Sequence, residues 1–290
     1  INVSAVAGKI GDTKTLTAVL NHYLNGAHLA NETLTFSIGA TTLGTAVTDA
    51  SGKAKLAYKL PETFGVGQQT LTVKFAGDAN YNASTGHTTL TINQSGTTLK
   101  LGSVTARPGD TKNLTATLKR SNDGGVISFR TVVFKIDGNA IGSTNTDGTG
   151  KATLSYKFGE TLAVGTHTLT ADFAGDADYL TSTASSTLTI AQAPTKLSVS
   201  TASGKVGTKV TLKAKLTRTT DGALLDGKTV RFQIDGVDVG TVVSATGIVT
   251  LSYTLPNTLT VGTHPITAIF DGDSLYTSIS NNTSLLTVQP

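Results

Sequence analysis

One phrase occurs three times in the chain and limits the possible folds more than any other feature. It reads Phe75-Ala-Gly-Asp-Ala-Asn-Tyr81, and it returns as Phe173-Ala-Gly-Asp-Ala-Asp-Tyr179 and as Phe270-Asp-Gly-Asp-Ser-Leu-Tyr276. Successive copies are separated by 98 and 97 residues. A near-constant period of this size indicates an array of one small domain rather than a single large enzyme.

Three units of this length account for the 290 residues. Each unit is long enough to bury a hydrophobic core of its own. We therefore expect domains at residues 1–94, 95–192 and 193–290. Both ends of the sequence fall on repeat borders and the chain has no methionine, so we expect a segment of a longer chain or a mature chain freed from a leader.

Composition excludes several classes of function. The chain has no cysteine, which rules out disulfides and thiol chemistry. Charged residues make up 14% of the chain and its net charge is +4, with no clustering of lysine and arginine. Nucleic-acid binding depends on such clusters, often with stacking aromatics, so no nucleic-acid partner is expected. No apolar run is long enough to span a membrane.

Hydrophobic residues alternate with polar ones, as in half-buried strands. Leu34, Phe36 and Ile38 form one such run, and comparable runs recur between glycine, proline, asparagine and aspartate residues. About seven short strands per unit, of which residues 3–7 are the first in the first repeat, predict an all-β chain of three tandem antiparallel Ig-like β-sandwiches. The linkers, residues 93–98 and 191–196, are short, which favours an end-to-end string on the order of 100 Å long.

Further motifs recur in a fixed order in the repeats. They include Phe-x-Ile-Asp-Gly, Thr-Asp-x-x-Gly-Lys-Ala, Tyr-x-Leu-Pro and Val-Gly-Thr-His-x-Leu-Thr, together with the Phe-x-Gly-Asp-x-x-Tyr phrase. With these motifs the whole chain resembles the bacterial Ig-like domain family of group 3 type. The resemblance implies an extracellular or cell-surface location, in adhesins, S-layer or filament proteins, or as spacers of secreted enzymes. The first repeat departs from the pattern with Gly39 and with Gln68-Gln69 in place of Thr-His.

The Gly-Asp-x-x-Tyr phrase has two interpretations. Its aspartates are weak candidates for a calcium site, but calcium takes six to eight oxygen ligands and no further acid recurs at an equivalent position. We predict instead a structural corner in which the aspartate accepts backbone N–H groups while the phenylalanine and tyrosine fill the sandwich. No cofactor is expected. The residues concerned are Phe75, Asp78, Tyr81, Phe173, Asp176, Tyr179, Phe270, Asp273 and Tyr276.

Two other groups of residues are candidate sites. Asp137-Gly138 and Asp235-Gly236 predict hairpin turns, with a metal role beside Asp147 or Asp238 as the alternative. His167 and His264 are equivalent, but they lie in separate domains and cannot cooperate within one fold. No nucleophile with a base and an orienting partner is recognisable, so we expect no enzyme.

The sequence favours a structural stalk, spacer or filament segment. Its expected partners are neighbouring repeats of the same longer chain, together with other copies of the chain in self-assembly or a ligand on a host or cell surface. Each repeat is expected to melt independently of the others. The alternative is loop-mediated adhesion or glycan binding, or an accessory role in a secreted glycan-active enzyme. Loops 21–29 and 121–129 would carry it, since they hold Tyr23 and Phe129, but the chain has no tryptophan and these two aromatics are in different repeats.

Overall fold

A computed structural model describes all residues from 1 to 290 as three successive β-sandwiches. The strands of the first repeat are β1 (Asn2–Val3), β2 (Val6–Lys9), β3 (Thr13–Val19), β4 (Thr33–Ile38), β5 (Thr41–Val47), β6 (Lys53–Lys59), β7 (Gly67–Phe75) and β8 (Ser84–Asn93). They form a three-stranded sheet, ordered β1-β3-β6, and a five-stranded sheet, ordered β2-β8-β7-β4-β5. A short 3-10 helix, Glu62–Phe64, precedes β7.

The second and third repeats have the same two sheets in the same order. The second is built from β9 (Thr97–Leu101), β10 (Val104–Ala106), β11 (Thr111–Arg120), β12 (Thr131–Ile136), β13 (Asn139–Asn145), β14 (Lys151–Lys157), β15 (Gly165–Phe173) and β16 (Ser182–Ile190). The third is built from β17 (Thr195–Val199), β18 (Ala202–Lys205), β19 (Lys209–Arg218), β20 (Thr229–Ile234), β21 (Val237–Val243), β22 (Ile248–Thr254), β23 (Gly262–Phe270) and β24 (Ile279–Gln289).

The predicted fold class is confirmed, and the structure adds one detail. The first predicted strand of each repeat is divided between the two sheets. In the first repeat, β1 pairs antiparallel with β3, whereas β2 pairs in parallel with β8. Each repeat therefore has eight strands, and one parallel pair stands in an otherwise antiparallel sandwich.

The core follows the predicted alternation. Along β4, β12 and β20, every second side chain is buried. The central residues of these strands, Phe36, Phe134 and Phe232, are all 0% exposed. Full burial of one such side chain contributes about 1.5–3 kcal/mol to folding. Each repeat thus has a fully buried phenylalanine at the equivalent position of its core.

The Asp-Gly turns are hairpin turns, as predicted. Ile136 pairs with Asn139 across a two-residue loop, and Asp137 and Gly138 have φ angles of 48° and 82°. Two successive positive φ angles define the hairpin turn that matches the right-handed twist of paired strands. The equivalent turn at Asp235-Gly236 has φ angles of 51° and 78°.

Candidate functional site: the junctions between repeats

Each linker makes one isolated β-bridge to the repeat that follows it. Ser95 pairs in parallel with Tyr179, and Ala193 pairs in parallel with Tyr276. Each makes two backbone hydrogen bonds, of 2.9–3.1 Å, with the residues on either side of that tyrosine. Ser95 and Ala193 are both 0% exposed. The linkers are therefore packed elements of the structure rather than flexible spacers.

Side chains next to these buried residues fix the register of each linker. Gln94 and Gln192 each donate from Nε2 to the main-chain carbonyl of the aspartate in the following Gly-Asp-x-x-Tyr phrase, at 2.7 Å in both junctions. Thr97 and Thr195 each donate to the carbonyl one residue beyond the tyrosine, at 2.9 and 3.0 Å. Both junctions thus use the linker pattern Gln-Ser/Ala-x-Thr.

The three aspartates of the repeated phrase hold the corner against which the linkers lie. In each copy, one carboxylate oxygen accepts hydrogen bonds from the backbone N–H groups two and three residues further on, at 2.7–2.9 Å (Asp78, Asp176 and Asp273). The second oxygen of Asp176 binds Arg130, and that of Asp273 binds Lys228 at 2.7 Å. No group of three or more His, Asp and Glu side chains converges as a metal site would require.

The phenylalanines and tyrosines of the phrase lie in different surroundings. Phe75, Phe173 and Phe270 are 3–4% exposed and belong to the cores. Tyr179 and Tyr276 are 0% exposed and lie at the junctions with the preceding repeats, beneath the linkers. Cations of the same repeat sit over their rings, with Arg130 5.6 Å from the ring centre of Tyr179 and Lys228 4.8 Å from that of Tyr276.

A charged cluster joins the second repeat to the third. The hydroxyl of Tyr276 donates to Glu160 Oε1 (2.5 Å) and accepts from Arg218 Nη1 (3.2 Å), while Arg218 Nη1 also binds Glu160 at 3.0 Å. Arg218 is only 6% exposed. Glu160 comes from the second repeat, and the other two residues come from the third. The carboxylate therefore links the two sandwiches directly.

The same arginine is held in place by an acid of its own repeat. Arg218 donates from Nε and Nη2 to the two carboxylate oxygens of Asp221, both at 2.9 Å. A bidentate ion pair of this kind fixes the plane of the guanidinium group. The bond from Arg218 lowers the pKa of Asp221 to about 2. Nη1 remains directed at Glu160 and Tyr276.

The junction between the first and second repeats has an equivalent set of residues with different contacts. Arg120 and Asp123 form the same kind of bidentate pair, at 2.9 and 3.1 Å. Glu62 of the first repeat binds Arg130 of the second at 2.6 Å. The hydroxyl of Tyr179 is buried without a hydrogen-bond partner, and burial raises the pKa of Tyr179 to about 12.

Additional contacts belong to this first junction alone. Asn122 donates from Nδ2 to the carbonyl of Ile10 (3.0 Å) and to Asp12 Oδ1 (2.7 Å). Lys59 reaches across to Asp123 at 2.9 Å. Apart from the linker contacts, the first junction therefore rests on several side-chain bridges, whereas the second rests mainly on Arg218.

Apolar contact also crosses the first junction. Ile10, which is 1% exposed, belongs to a continuous buried cluster that includes the first core and four residues of the second repeat: Leu118, Ile127, Phe173 and Tyr179. The two surfaces approach closely at Gly11, the residue after Ile10; Gly11 has a φ of 91°, and a Cβ there would lie 2.7 Å from Arg120 Nε. Only glycine fits this close approach without strain.

Histidine–aspartate pairs lie beside the hairpin turns of the second and third repeats. His264 donates from Nδ1 to Asp235 Oδ2 (2.6 Å) and from Nε2 to the carbonyl of Thr260 (2.8 Å). These two acceptors favour the doubly protonated ring and raise the pKa of His264. His167 is held in the same way by Asp137 and the carbonyl of Ala163, and its pKa is raised as well.

The first repeat supplies a natural control for the histidine. Gln69 stands at the equivalent position and donates from Nε2 to the carbonyl of Phe64 (2.9 Å). We predict that His264→Gln removes a pH dependence from the third repeat. A raised folded-state pKa gives stability that is complete below pH 6.5 and is lost as the pH rises through the raised value. The loss amounts to at most about 1 kcal/mol because Asp235 is partly exposed.

Thermal unfolding at pH 6 and pH 8 tests this prediction. The stability of the third repeat in the original chain should fall between the two pH values, and the fall should be smaller in His264→Gln. His87, which bonds only to Thr72 on the exposed surface of the first repeat, offers a control substitution, His87→Gln. An equal fall in all three proteins would contradict the assignment to His264.

The sequence interpretation missed the residues that link the repeats. Arg120, Arg218, Glu62 and Glu160 were not selected because no pattern of known chemistry contains them. A signal was present, since Arg-x-x-Asp-Gly occurs at the equivalent positions 120–124 and 218–222, and Glu-Thr occurs at 62–63 and 160–161. The third repeat has Asn257 where the others have the glutamate.

The loops considered for binding do not form one surface. Tyr23 is 97% exposed and Phe129 is 74% exposed. They lie in different repeats, and neither is part of an aromatic pair. The structure contains no helix long and apolar enough to span a membrane.

Comparison with protein families gives three matches along the chain. A family described as bacterial Ig-like domain (group 3) matches residues 1–93, 98–191 and 197–289. The two gaps between the matches contain the linker residues Gln94–Thr97 and Gln192–Lys196. No curated protein matches the chain.

Solved structures of tandem repeats are similar to the chain at low identity. A tetra-tandem repeat from the extending region of a large adhesion protein is 17% identical, covering 98% of this chain and 74% of that one, with a TM-score of 0.39. The I67–I69 fragment of titin is 12% identical over 99% and 96%, with a TM-score of 0.38. A Ca²⁺-stabilised ice-binding adhesin of an Antarctic bacterium is 15% identical over 99% and 74%, with a TM-score of 0.30. TM-scores below 0.5 support no conclusion about this chain.

Proposed function

The chain belongs to the bacterial Ig-like domain family (group 3), and on that premise we propose that it is a stalk or spacer segment of a cell-surface or secreted protein. An adhesin, an S-layer protein or an extracellular fibre would use such a segment to set a distance. The proposed role is mechanical and involves no catalysis. The limits of the three domains are proposed at residues 1–94, 95–192 and 193–290.

One observation carries the proposal: the same junction is built twice. In both, one linker residue pairs with a buried tyrosine, a glutamine fixes the register of the linker, and a glutamate of one repeat binds a cation of the next. A chain that needed only flexible tethering would not require these contacts. Their repetition supports a segment in which orientation is passed from one repeat to the next.

Distance measurement between spin labels tests this role. The absence of cysteine allows labels to be placed at Thr45→Cys and Ser143→Cys, which are exposed and equivalent positions of β5 and β13. We expect a single narrow distance distribution, because the junction restricts bending.

The control inserts two glycines between Asn93 and Gln94, which leaves the linker docked on the second repeat but frees the first. The distribution should then broaden. Distributions of equal breadth in the two proteins would contradict the proposal.

A further inference from the structure

The outer face of the three-stranded sheet in the third repeat carries lysines and no acidic residue. The sheet consists of β17, β19 and β22, and none of these strands contains aspartate or glutamate. Its exposed lysines are Lys196 on β17 and Lys209, Lys213 and Lys215 on β19. None of the four takes part in an ion pair of this repeat. We call the surface that these lysines form the lysine face.

The register of the sheet brings three of these lysines together. Lys196 lies opposite Thr217, and Ser198 lies opposite Lys215. Lys196 and Lys215 are therefore diagonal neighbours on adjacent strands, with Cα atoms about 7 Å apart. Lys213 lies on the same side of β19 as Lys215, also at about 7 Å, because two strand residues span that length. The sheet thus gathers into one cluster lysines that are not clustered in the sequence.

The acidic residues of the third repeat lie elsewhere and are already engaged. The repeat has no glutamate. Five of its six aspartates lie beside a cationic side chain or a histidine outside the lysine face, and the sixth accepts from backbone amides. These residues are Asp221 beside Arg218, Asp235 beside His264, Asp238 and Asp271 beside Arg231, Asp273 beside Lys228, and Asp226. The charge of the lysine face is therefore not neutralised within the repeat.

The fold does not require lysine at these positions. In the second repeat, the residues equivalent to Lys196, Lys213 and Lys215 are all threonines, at positions 98, 115 and 117. Threonine is well suited to an exposed strand position, whereas neighbouring like charges repel one another. The cluster thus gives the third repeat no advantage in folding, which points to a partner of opposite charge outside the repeat.

The corresponding faces of the other repeats have the same sign of charge. Their three-stranded sheets also contain no acidic residue. Exposed lysines lie there at other positions, such as Lys55 in the first repeat and Lys100, Lys119 and Lys151 in the second. The charge is kept although the exact positions change. A flexible polymer with repeated negative charges would need only this property, since it adapts to the spacing that it meets.

The neighbours of the lysines favour a sugar polymer over other polyanions. Exposed hydroxyl side chains lie beside them on the same face, including Thr211, Thr250 and Ser252. Tyr253 is directed to the inner side, opposite the buried Val210, so no aromatic ring is available for stacking on nucleic-acid bases. Ile248 is the one exposed apolar residue of these strands, whereas binding to a membrane surface uses a broad apolar face.

We propose that the lysine face binds linear acidic polysaccharides. The ammonium groups of Lys196, Lys213 and Lys215 pair with carboxylates of the polymer, and the hydroxyl side chains beside them bind sugar hydroxyls. The polymer lies across the flat sheet without entering a pocket. Exposed charges are screened by salt, so the affinity should fall steeply as ionic strength rises. This binding is a function additional to the proposed stalk role and does not depend on it.

The test replaces the three clustered lysines in the full chain by the threonines of the second repeat: Lys196→Thr, Lys213→Thr and Lys215→Thr. Binding is measured by calorimetry with polygalacturonate, a linear polymer with one carboxylate per sugar, at several salt concentrations. We expect the affinity at low salt to fall by at least about fivefold. Each contact contributes about 0.7 to the slope of log affinity against log salt, so the slope should decrease by about 2. Thermal unfolding of the third repeat should not occur at a lower temperature.

The matched control removes the same charge from other surfaces. Lys9, Lys74 and Lys205 are exposed, form no ion pair and lie on the five-stranded sheets. Lys9→Thr, Lys74→Thr and Lys205→Thr together should lower the affinity by less than about twofold. An equal loss in the two triple variants would overturn the proposal, because the binding would then depend on net charge and not on the lysine face.

Other polymers test the class of the partner. Fully methyl-esterified polygalacturonate has the same sugars without the charge and should not bind. Binding of the esterified polymer with equal affinity would contradict the pairing of lysine with carboxylate. Tighter binding of a DNA duplex or of phosphatidylserine vesicles, at equal salt and equal charge concentration, would also overturn the proposal. None of these results alters the distance between Thr45→Cys and Ser143→Cys, so the stalk role is tested separately.

Discussion

Phe232→Ala is expected to unfold the third repeat at a temperature at which the first and second repeats remain folded. Phe232 is 0% exposed at the centre of β20, and truncating a buried phenylalanine costs about 3–5 kcal/mol. Domains of this size are stable by about 5–15 kcal/mol in total. Calorimetry of the full chain should therefore show one early transition that is absent from the original protein.

The matched control is Val243→Ala in the neighbouring strand. Val243 is 58% exposed, so its truncation should change stability by less than about 0.5 kcal/mol. If Phe232→Ala lowered all three transitions by the same amount, the repeats would form one cooperative unit. That result would exclude three separately organised cores.

Arg218→Met is expected to uncouple the third repeat from the second. The substitution keeps the apolar stem of the side chain but leaves Asp221 and the hydroxyl of Tyr276 without their cation. Breaking a buried pair costs about 3–5 kcal/mol, and the exposed half of Glu160 reduces this, so we expect a loss of about 2 kcal/mol from the third repeat. The distribution of distances between spin labels at Ser143→Cys and Thr241→Cys should broaden at the same time.

A second consequence concerns acid stability. Arg218 holds the pKa of Asp221 at about 2. A lowered pKa gives stability that is present above pH 3.8 and is lost as the pH falls toward 2. Arg218→Met should therefore reduce the dependence of the third repeat on pH in this range.

The control for Arg218 is another arginine of the same repeat. Arg231 pairs on the surface with Asp238 and Asp271 of its own repeat, and Arg231→Met should leave the unfolding and the distances unchanged. If Arg218→Met left the distance distribution narrow, the charged cluster would not orient the repeats. The contacts of the linker alone would then orient the third repeat relative to the second.

The repeats and their sandwich fold could be predicted because they depend on local order in the sequence. The alternation around Phe36 recurs at Phe134 and Phe232, and two-residue turns at Asp137 and Asp235 follow from the chemistry of those residues. The charged cluster could not be predicted in this way. Glu160, Arg218 and Tyr276 are far apart in the chain and meet only when two folded repeats are placed end to end.

The division of the first strand was missed for a related reason. The alternation of apolar and polar residues predicts one short strand over residues 3–7. Such alternation indicates which side chains are buried, but it does not indicate which neighbouring strand each residue pairs with. Val3 pairs with one sheet, and Val6 pairs with the other. The crossing between them depends on the arrangement of β3 and β8, and β8 lies at the other end of the repeat.

The pairing of each linker with a distant edge gives the array a direction during synthesis on the ribosome. Ser95 pairs with Tyr179, which is translated 84 residues later. The first repeat can therefore fold while its outgoing linker is still unpaired, and the linker is captured only when the second repeat is nearly complete. Each new repeat thus fixes the orientation of one that is already folded, and the rigid part of the molecule grows one repeat behind translation.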